Sequence, residues 1–193
     1  MNEDAIVSAA QKGDINAFNR LVLTYQELAY NVAYRILGNP DRAADATQDS
    51  FLRGYRALDQ FRGGSFKTWI LRIVTNCCYD QLRGMKRRPT TPIDDLVEDD
   101  EHSTLLEDTS ESPQSYVERV ELDAVVQAAL DTLPEDQRTV VVMSDIHGLS
   151  YDEIAETTSV NLGTVKSRLS RGRAKMRDYF LAHREHLPAG MRL

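Results

Sequence analysis

Apolar side chains recur along most of the chain at intervals of three and four residues, the spacing that places them on one face of an α-helix. The first long segment of this kind lies between Gly13 and Gly38, two glycines that are expected to end helices. Its apolar positions are Phe18, Leu21, Val22, Tyr25, Ala29, Val32 and Ile36. No segment has the strict alternation that is typical of a half-buried strand. The pattern therefore predicts an all-α protein.

A second helix is predicted to begin at Pro40, because Asn39 can cap it and proline suits the first helical turn. The stripe expected to face the core holds Ala44, Thr47, Phe51, Tyr55 and Leu58. The opposite stripe is polar and mostly acidic apart from one leucine, and it holds Asp41, Asp45, Gln48, Asp49, Leu52 and Arg56. Its composition fits either a solvated helix face or a surface that docks on a partner helix.

A glycine loop after Phe61 leads to a third helix, for which Ser65 is the expected N-cap. The apolar stripe of this helix holds Phe66, Trp69, Ile70, Ile73, Val74 and Cys77. Polar and basic side chains project from its other faces, namely Lys67, Arg72, Asn76, Arg83, Lys86, Arg87 and Arg88. Cations beside aromatic rings are the usual means of holding single-stranded nucleic acid. A tryptophan at helical spacing is more typical of a core position, so both interpretations of Trp69 stay open.

Two consecutive helices are predicted near the C-terminus, and the first begins with a capping box formed by Ser150 and Glu153. A turn is expected at residues 158–160, after which Asn161 caps the second helix. The inner stripe of the second helix holds Leu162, Val165, Leu169, Gly172 and Met176. Its outward stripe holds Lys166, Ser167, Ser170 and Arg171, flanked by Arg168, Arg173 and Arg177. This pattern predicts a helix-turn-helix that reads the major groove of DNA, and the alternative is a basic helix that only covers its neighbour.

Charge is distributed unevenly along the 193 residues, whose formal net charge is −7. Residues 1–88 carry a net charge of +4 and residues 161–193 carry +6. The acidity lies between them, with −11 over residues 89–123 and −6 over residues 124–160. An acidic total is therefore compatible with two basic surfaces that could meet nucleic acid.

The stretch from Arg88 to Ser115 contains three of the six prolines, many acids and few large apolar side chains. Such a composition cannot bury enough surface to offset the cost of ordering it. We therefore predict two helical domains, residues 1–90 and 116–193, joined by a flexible acidic linker over residues 91–115. A hypothesis follows that the acids between Asp94 and Glu111 compete with nucleic acid for the basic surfaces of the same chain.

Several classes of function find no support in the sequence. No apolar run approaches the roughly 18 residues of a membrane-spanning helix, and the first residues lack the pattern of a secretory signal, so a cytoplasmic protein is expected. Cys77 and Cys78 are adjacent, and with four scattered histidines they form no zinc-binding spacing. The histidines also lack an acid or nucleophile at a catalytic spacing. We expect no enzyme, no metal and no cofactor.

Three ordered motifs carry a family resemblance, and a variable linker lies after the first of them. They read RAADATQDSFLRGYRALDQFRGGSFKTWILRIVTN, LPEDQRTVVVMSDIHGLSYDEIAE and GTVKSRLSRGRAKM. Together they resemble a bacterial RNA polymerase sigma factor of the extracytoplasmic-function group, over nearly the whole chain. The resemblance implies two domains, region 2 and region 4, which lend promoter recognition to the core enzyme. It also implies polymerase core and promoter DNA as partners, together with an anti-sigma factor.

The resemblance assigns roles to three sets of residues. Docking on the clamp helices of the polymerase β′ subunit is implied for Asp45, Gln48, Asp49 and the neighbouring Leu52, and the β subunit is a further expected contact. Melting and holding of the minus-10 element is implied for Phe61, Lys67, Arg72 and Asn76, with Lys86, Arg87 and Arg88 as further DNA contacts. Recognition of the minus-35 element is implied for Lys166, Ser167, Arg168, Ser170, Arg171 and Arg173.

Two residues depart from the family pattern. Ser159 replaces a glycine that is common in the turn, which costs up to about 1 kcal/mol if this residue is left-handed. Ser144 stands where relatives often carry a basic phosphate contact. The alternative function is a stand-alone operator-binding regulator, which would explain the helix-turn-helix but not a matched N-terminal domain.

Overall fold

The computed structural model describes residues 3–87 and 113–186. Eight α-helices lie in these ranges: α1 Glu3–Gln11, α2 Ile15–Leu37, α3 Pro40–Ala57, α4 Phe66–Arg87, α5 Pro113–Asp131, α6 Glu135–Val141, α7 Tyr151–Thr158 and α8 Leu162–Ala182. A 3₁₀ turn spans Leu58–Gln60, a π-helical turn Val142–Ile146 and a second 3₁₀ turn Arg184–His186. The described ranges contain no strand, which confirms the all-α prediction. Arg88 and the predicted acidic segment 94–111 lie outside the described residues.

The helix ends follow the predicted capping chemistry. Gly38 ends α2 in the left-handed conformation, with φ +69°, and the side chain of Asn39 accepts a hydrogen bond from the Arg42 amide at the start of α3. The capping box of Ser150 and Glu153 is present in α7, where each side chain accepts a backbone N–H of the other. Because every one of these caps is local in sequence, the pattern was sufficient to predict them.

The core face of α3 differs from the predicted one. Phe51 and Leu58 are buried as expected, but Ala44 and Tyr55 are exposed. The side toward the interior instead carries small residues, which are Ala43, Ala46, Ser50 and Gly54. A Cβ atom at Gly54 would lie only 3.0 Å from the Ile70 Cδ1 atom of α4. Small side chains are therefore needed there, because they let α3 and α4 approach closely.

The C-terminal domain packs α8 against α6 and α7, with Val165 and Leu169 buried as predicted. A Cβ atom at Gly172 would lie 2.6 Å from the Val141 Cγ2 atom, so glycine permits the close approach of α8 to α6. Leu162 was predicted to be buried, but it is 40% exposed. It lies at the very start of α8, before the first buried residue of the helix.

The two domains pack against each other in this structure. Helix α4 contacts α7, and α2 contacts α5, α6 and the π-helical turn. The buried apolar residues of both domains form one continuous cluster. Two linked domains were predicted from the sequence, but this contact between them was not. Across the described ranges, no helix is long and apolar enough to cross a bilayer.

Candidate nucleic-acid interface and docking groove

An apolar groove with a volume of about 820 Å³ lies between α2 and α3. Apolar side chains that line it include Ile15, Phe18, Val22, Leu23, Phe51, Leu52 and Tyr55. Leu23 is 69% exposed and Leu52 is 49% exposed, although both are large and apolar. Gln48 of the predicted docking stripe also lines the groove, and Asp45 and Asp49 are exposed on the same helix. The groove thus offers an apolar floor beside carboxylates, which suits an amphipathic helix that carries basic residues.

The predicted minus-10 residues on α4 face α7 of the C-terminal domain. The Lys67 Nζ atom lies 2.5 Å from the Glu153 Oε1 atom, and the side chains are 31% and 30% exposed. Arg72 donates from Nη2 to the backbone oxygen of Glu156 at 2.9 Å. Asn76 is exposed. Two of the three predicted donors are therefore engaged by the second domain.

The Lys67–Glu153 pair affects the titration of the carboxyl group. The side-chain hydrogen bond from Lys67, followed by the bond from the backbone N–H of Ser150, lowers the pKa of Glu153. Glu153 therefore serves two partners at once, the N-cap of its own helix and a lysine of the other domain. Protonation at low pH would weaken both interactions.

Phe61 lies in an aromatic cluster and is only 9% exposed. Its ring meets the Trp69 ring at a centroid distance of 5.4 Å and the Phe66 ring at 6.0 Å. Gln11 donates a hydrogen bond to the Phe61 backbone oxygen at 2.8 Å, which fixes the loop before α4. In this arrangement Phe61 supports the loop and offers little ring surface for a base to stack on.

The basic end of α4 is only partly free. The Lys86 Nζ atom lies 2.6 Å from the Glu135 Oε1 atom of α6. Arg87 is exposed. The Lys86 side chain is 72% exposed, so its ion pair with Glu135 is weak. A phosphate can easily replace the Glu135 carboxylate beside Lys86.

Helix α8 presents four of its predicted DNA contacts to solvent, namely Lys166, Ser170, Arg171 and Arg173. Ser167 is half-buried, and its hydroxyl donates to the Thr164 backbone oxygen at 3.0 Å. Arg168 pairs with Asp136 at 2.9 Å, which directs it toward α6. Lys166 and Arg171 are thus the predicted cations of the outward stripe that remain available to reach base edges.

Arg173 is held by the segment before α7. Its Nη2 atom lies 2.6 Å from the Asp145 Oδ1 atom and 3.4 Å from the hydroxyl oxygen of Ser144. The hydrogen bond from Arg173 lowers the pKa of Asp145, and the same bond raises the pKa of Arg173. A cation therefore stands beside Ser144, the position where the family pattern often has a basic residue.

The turn between α7 and α8 contains Ser159 with φ +56°. Among the described residues it is the one residue other than glycine with a positive φ. Ser159 is therefore left-handed, and serine adopts this conformation at a conformational cost that glycine avoids.

Residues at the domain contact were missed by sequence reasoning. Arg35 forms a salt bridge with Asp123 and donates from Nη1 to the Gln127 Oε1 atom at 3.3 Å. Arg138 donates from Nη1 to the Ile36 backbone oxygen at 2.7 Å. The signal available was the position of Arg35 beside Ile36 in an otherwise apolar stretch of α2, because a guanidinium there needs a partner.

Comparison with known families identifies both domains. The family model for sigma-70 region 2 matches residues 21–88, and the model for sigma-70 region 4 matches residues 123–176. The region 2 match covers α4 and the part of the groove after residue 20, and the region 4 match covers the helix-turn-helix. The order of the two matches along the chain therefore agrees with the structure, in which the groove and α4 precede the helix-turn-helix.

Individual relatives agree with the family models. The chain is 40% identical over 167 residues to the sigma factor SigE of Mycolicibacterium smegmatis, covering 86% of this chain and 63% of that protein. It is 38% identical over 176 residues to the sigma-H factor of Pseudomonas aeruginosa, covering 89% and 90%. The solved structure of CnrH in complex with the cytosolic domain of CnrY has a TM-score of 0.69 and 27% identity, over 94% of this chain and 99% of CnrH. The chain therefore belongs to the extracytoplasmic-function group of the sigma-70 family of RNA polymerase sigma factors.

Proposed function

We propose that this chain is a transcription initiation factor that binds RNA polymerase core and directs it to specific promoters. The observation that carries the proposal is the presence of region 2 and region 4 in one chain and in that order. A stand-alone operator-binding regulator would account for α7 and α8 alone. It would leave the region 2 domain and its apolar groove without a purpose.

The groove between α2 and α3 is the proposed docking site for the β′ clamp helices. Exposed Leu52 and Leu23 supply apolar contact area, and Asp45 and Asp49 supply charge at the adjoining face. Large exposed apolar side chains of this kind are typical of protein interaction surfaces. Both carboxylates are exposed, and Asp49 interacts with Arg53 of the same helix through its charge, so both are accessible to a basic partner helix.

The face of α4 is the proposed contact for the minus-10 element, with Lys67, Arg72 and Asn76 as donors and Lys86, Arg87 and Arg88 as further cations. Opening a base-pair step costs a few kcal/mol, which binding of the extruded base and its phosphates can offset. Phe61 is proposed to contact the melted strand after the loop before α4 rearranges, since its ring is buried in the free chain.

Helix α8 is the proposed reader of the minus-35 element. Lys166 and Arg171 can donate to guanine acceptors or to phosphates, and Ser170 can contact either. Ser167, Arg168 and Arg173 are proposed to act at the edges of this contact, because each is already bonded within the domain. We propose the domain bounds 1–90 and 116–193, with the acidic linker at 91–115 between them.

The chemistry of these surfaces is binding, and we expect the chain to work without catalysis or a cofactor of its own. The cytoplasm is the proposed location, since polymerase core and promoter DNA are found there. An anti-sigma factor is a further expected partner, as the family implies. Such a partner would compete with the polymerase core if it covered the groove between α2 and α3.

Substitution of the docking stripe tests the proposal directly. Asp45→Lys combined with Asp49→Lys is expected to abolish binding to polymerase core in a pull-down, while thermal unfolding stays nearly unchanged because exposed charges seldom carry stability. Asp59→Lys combined with Glu121→Lys is the matched control, since both acids are exposed and lie away from the groove. Undiminished core binding by the folded docking variant would refute this assignment.

A further inference from the structure

The start of the recognition helix α8 exposes a large apolar side chain. Leu162 is 40% exposed at the first position of the helix, whereas Val165 and Leu169 on the inner side are buried. A single exposed leucine is common on protein surfaces. Its position is informative, because the N-terminal residues of a recognition helix in the major groove are the ones that meet base edges.

The polar side chains beside Leu162 are already used in the cap of α8. The Asn161 Oδ1 atom accepts hydrogen bonds from the Thr164 backbone N–H at 2.8 Å and from the Thr164 hydroxyl at 3.0 Å. An asparagine that reads adenine must offer its oxygen and its amide nitrogen together, and this oxygen is occupied. Gly163 has no side chain, and a Cβ atom there would lie 3.3 Å from the same oxygen. Leu162 is therefore the side chain of this first turn that is left to contact a base.

The position of Leu162 relative to Lys166 defines where such a contact would lie. Cα–Cβ bonds in a helix tilt toward its N-terminus, so the leucine extends toward the start of α8. The two residues are four apart and are therefore neighbours on one side of the helix. Four residues rise about 6 Å, which corresponds to about two base-pair steps of 3.4 Å for a helix that follows the groove. The base beside Leu162 is expected within about two base pairs of the Lys166 contact.

The chemistry of a leucine side chain favours one base. Every base presents hydrogen-bonding groups in the major groove, and thymine alone adds a methyl group at C5. Leucine has neither a donor nor an acceptor, so covering a hydrogen-bonding edge would leave that edge without a partner. Contact with the thymine methyl group instead removes apolar surface of both groups from water, which is favourable.

We propose that Leu162 is a specificity-determining residue of the minus-35 contact and that it selects thymine by packing against the 5-methyl group. This inference rests on the proposed function, because it adds a base contact to the same helix. Lys166 and Arg171 supply hydrogen bonds and charge in this contact. Leu162 supplies a preference that a donor cannot provide, and one side chain is expected to impose it at one position.

Replacement of thymidine by deoxyuridine tests the proposal, because the two nucleotides differ only in this methyl group. Holoenzyme formed from the factor and polymerase core first selects its minus-35 sequence from a randomised duplex library. Each thymine of the selected element, on both strands, is then replaced singly by deoxyuridine. We expect one replacement to weaken binding by the wild-type holoenzyme about two- to fourfold, the effect of losing one buried methyl group.

Three variants show whether Leu162 is the residue that senses the methyl group. Leu162→Ala should make the same replacement neutral, since the methyl group has lost its contact. Leu162→Met keeps an apolar side chain of similar reach and should keep the sensitivity. Leu181→Ala is the matched control and should also keep it, because Leu181 is 49% exposed on the same helix but about 28 Å away along its axis. Thermal unfolding should be nearly unchanged in Leu162→Ala, because the residue is exposed.

Two results would overturn the proposal. One is that deoxyuridine has no effect at any thymine with wild-type holoenzyme, and the other is that its effect persists unchanged in Leu162→Ala. Transcription separates this inference from the proposed function. Promoter-directed transcripts from the wild-type holoenzyme, obtained together with either of these results, would refute the role of Leu162 alone. A wild-type factor that neither binds core nor directs transcription would refute the proposed function and the role of Leu162 with it.

Discussion

Gly172 of α8 offers a sharp test of how closely the helix-turn-helix domain is packed. A Cβ atom there would lie 2.6 Å from the Val141 Cγ2 atom and 3.5 Å from the Gln137 backbone oxygen. Val141 is β-branched and lies in a helix, so its side chain has essentially one rotamer and cannot turn away. We therefore expect Gly172→Ala to push α8 away from α6.

The expected magnitude follows from two opposing effects. Replacing glycine by alanine within a helix gains about 1 kcal/mol from backbone entropy. Overpacking of a dense interior costs about 1–3 kcal/mol. Gly84→Ala is the matched control, because Gly84 also lies in a helix but a Cβ atom there would have no neighbour within 4 Å. The two variants should thus differ by about 1–3 kcal/mol, the cost of the contact alone.

Thermal and urea unfolding followed by circular dichroism measure this difference. Each kcal/mol corresponds to a melting shift of about 2–4 °C for a chain of this size. Gly84→Ala should raise the melting temperature, and Gly172→Ala should lower it or leave it near wild type. In a Val141→Ala background the contact is gone, so Gly172→Ala should become stabilising. Equal gains at Gly172 and Gly84 would refute the packing argument.

Three further predictions concern the recognition helix, the turn and pH. Lys166→Ala and Arg171→Ala should each weaken minus-35 recognition by about 1–3 kcal/mol if the side chain reads a base. Transcription from promoter variants measures the loss, and Lys175→Ala is the charge-matched control. A uniform loss over all promoters would instead indicate a phosphate contact. Ser159→Gly should stabilise the domain by up to about 1 kcal/mol by relieving the left-handed serine, whereas Ser159→Ala should not, and unfolding in urea distinguishes them. Burial, followed by the nearby charge of Arg35, lowers the pKa of His147 from 6.5. The unfolded chain therefore binds a proton more readily than the folded chain, and the free energy of unfolding should fall as pH drops below about 6.5. Unfolding measured at several pH values tests this, and His147→Gln should remove the effect.

Local features of the fold could be predicted from the sequence because their causes are local. The caps at Asn39, Ser150 and Asn161 each depend on residues within one helical turn. The helix-turn-helix could be located because polar and apolar stripes alternate clearly on α8. In these segments the periodicity had one consistent interpretation.

The core face of α3 was predicted one position away from the real one. Two stripes competed there, a small one through Ala46 and Gly54 and a larger one through Thr47 and Tyr55. Hydrophobicity favoured the larger side chains, but the close approach of α4 required the small ones. Periodicity does not report the distance to a neighbouring helix, so steric fit decided the face.

The domain contact was beyond what the pattern could specify. Helix α4 also buries Leu71 and Cys78, which lie outside its predicted stripe. The pairing of Lys67 with Glu153 joins residues far apart in sequence, and an exposed lysine predicts no particular partner. The same lysine could be assigned to nucleic acid by resemblance, although in the free chain it is bound to α7.

Glu153 shows how one side chain can be constrained by two separate requirements. One carboxylate oxygen accepts the N–H of Ser150 at 2.8 Å and so completes the cap of α7, while the other pairs with Lys67. In a library of random substitutions, selection for folding alone would accept glutamine as well as glutamate at this position. Selection for the ion pair with Lys67 would reject glutamine, because only a charged side chain pairs with the lysine. The tolerance of position 153 to mutation would therefore show whether selection acts on the cap of α7 alone or also on the contact between the two domains.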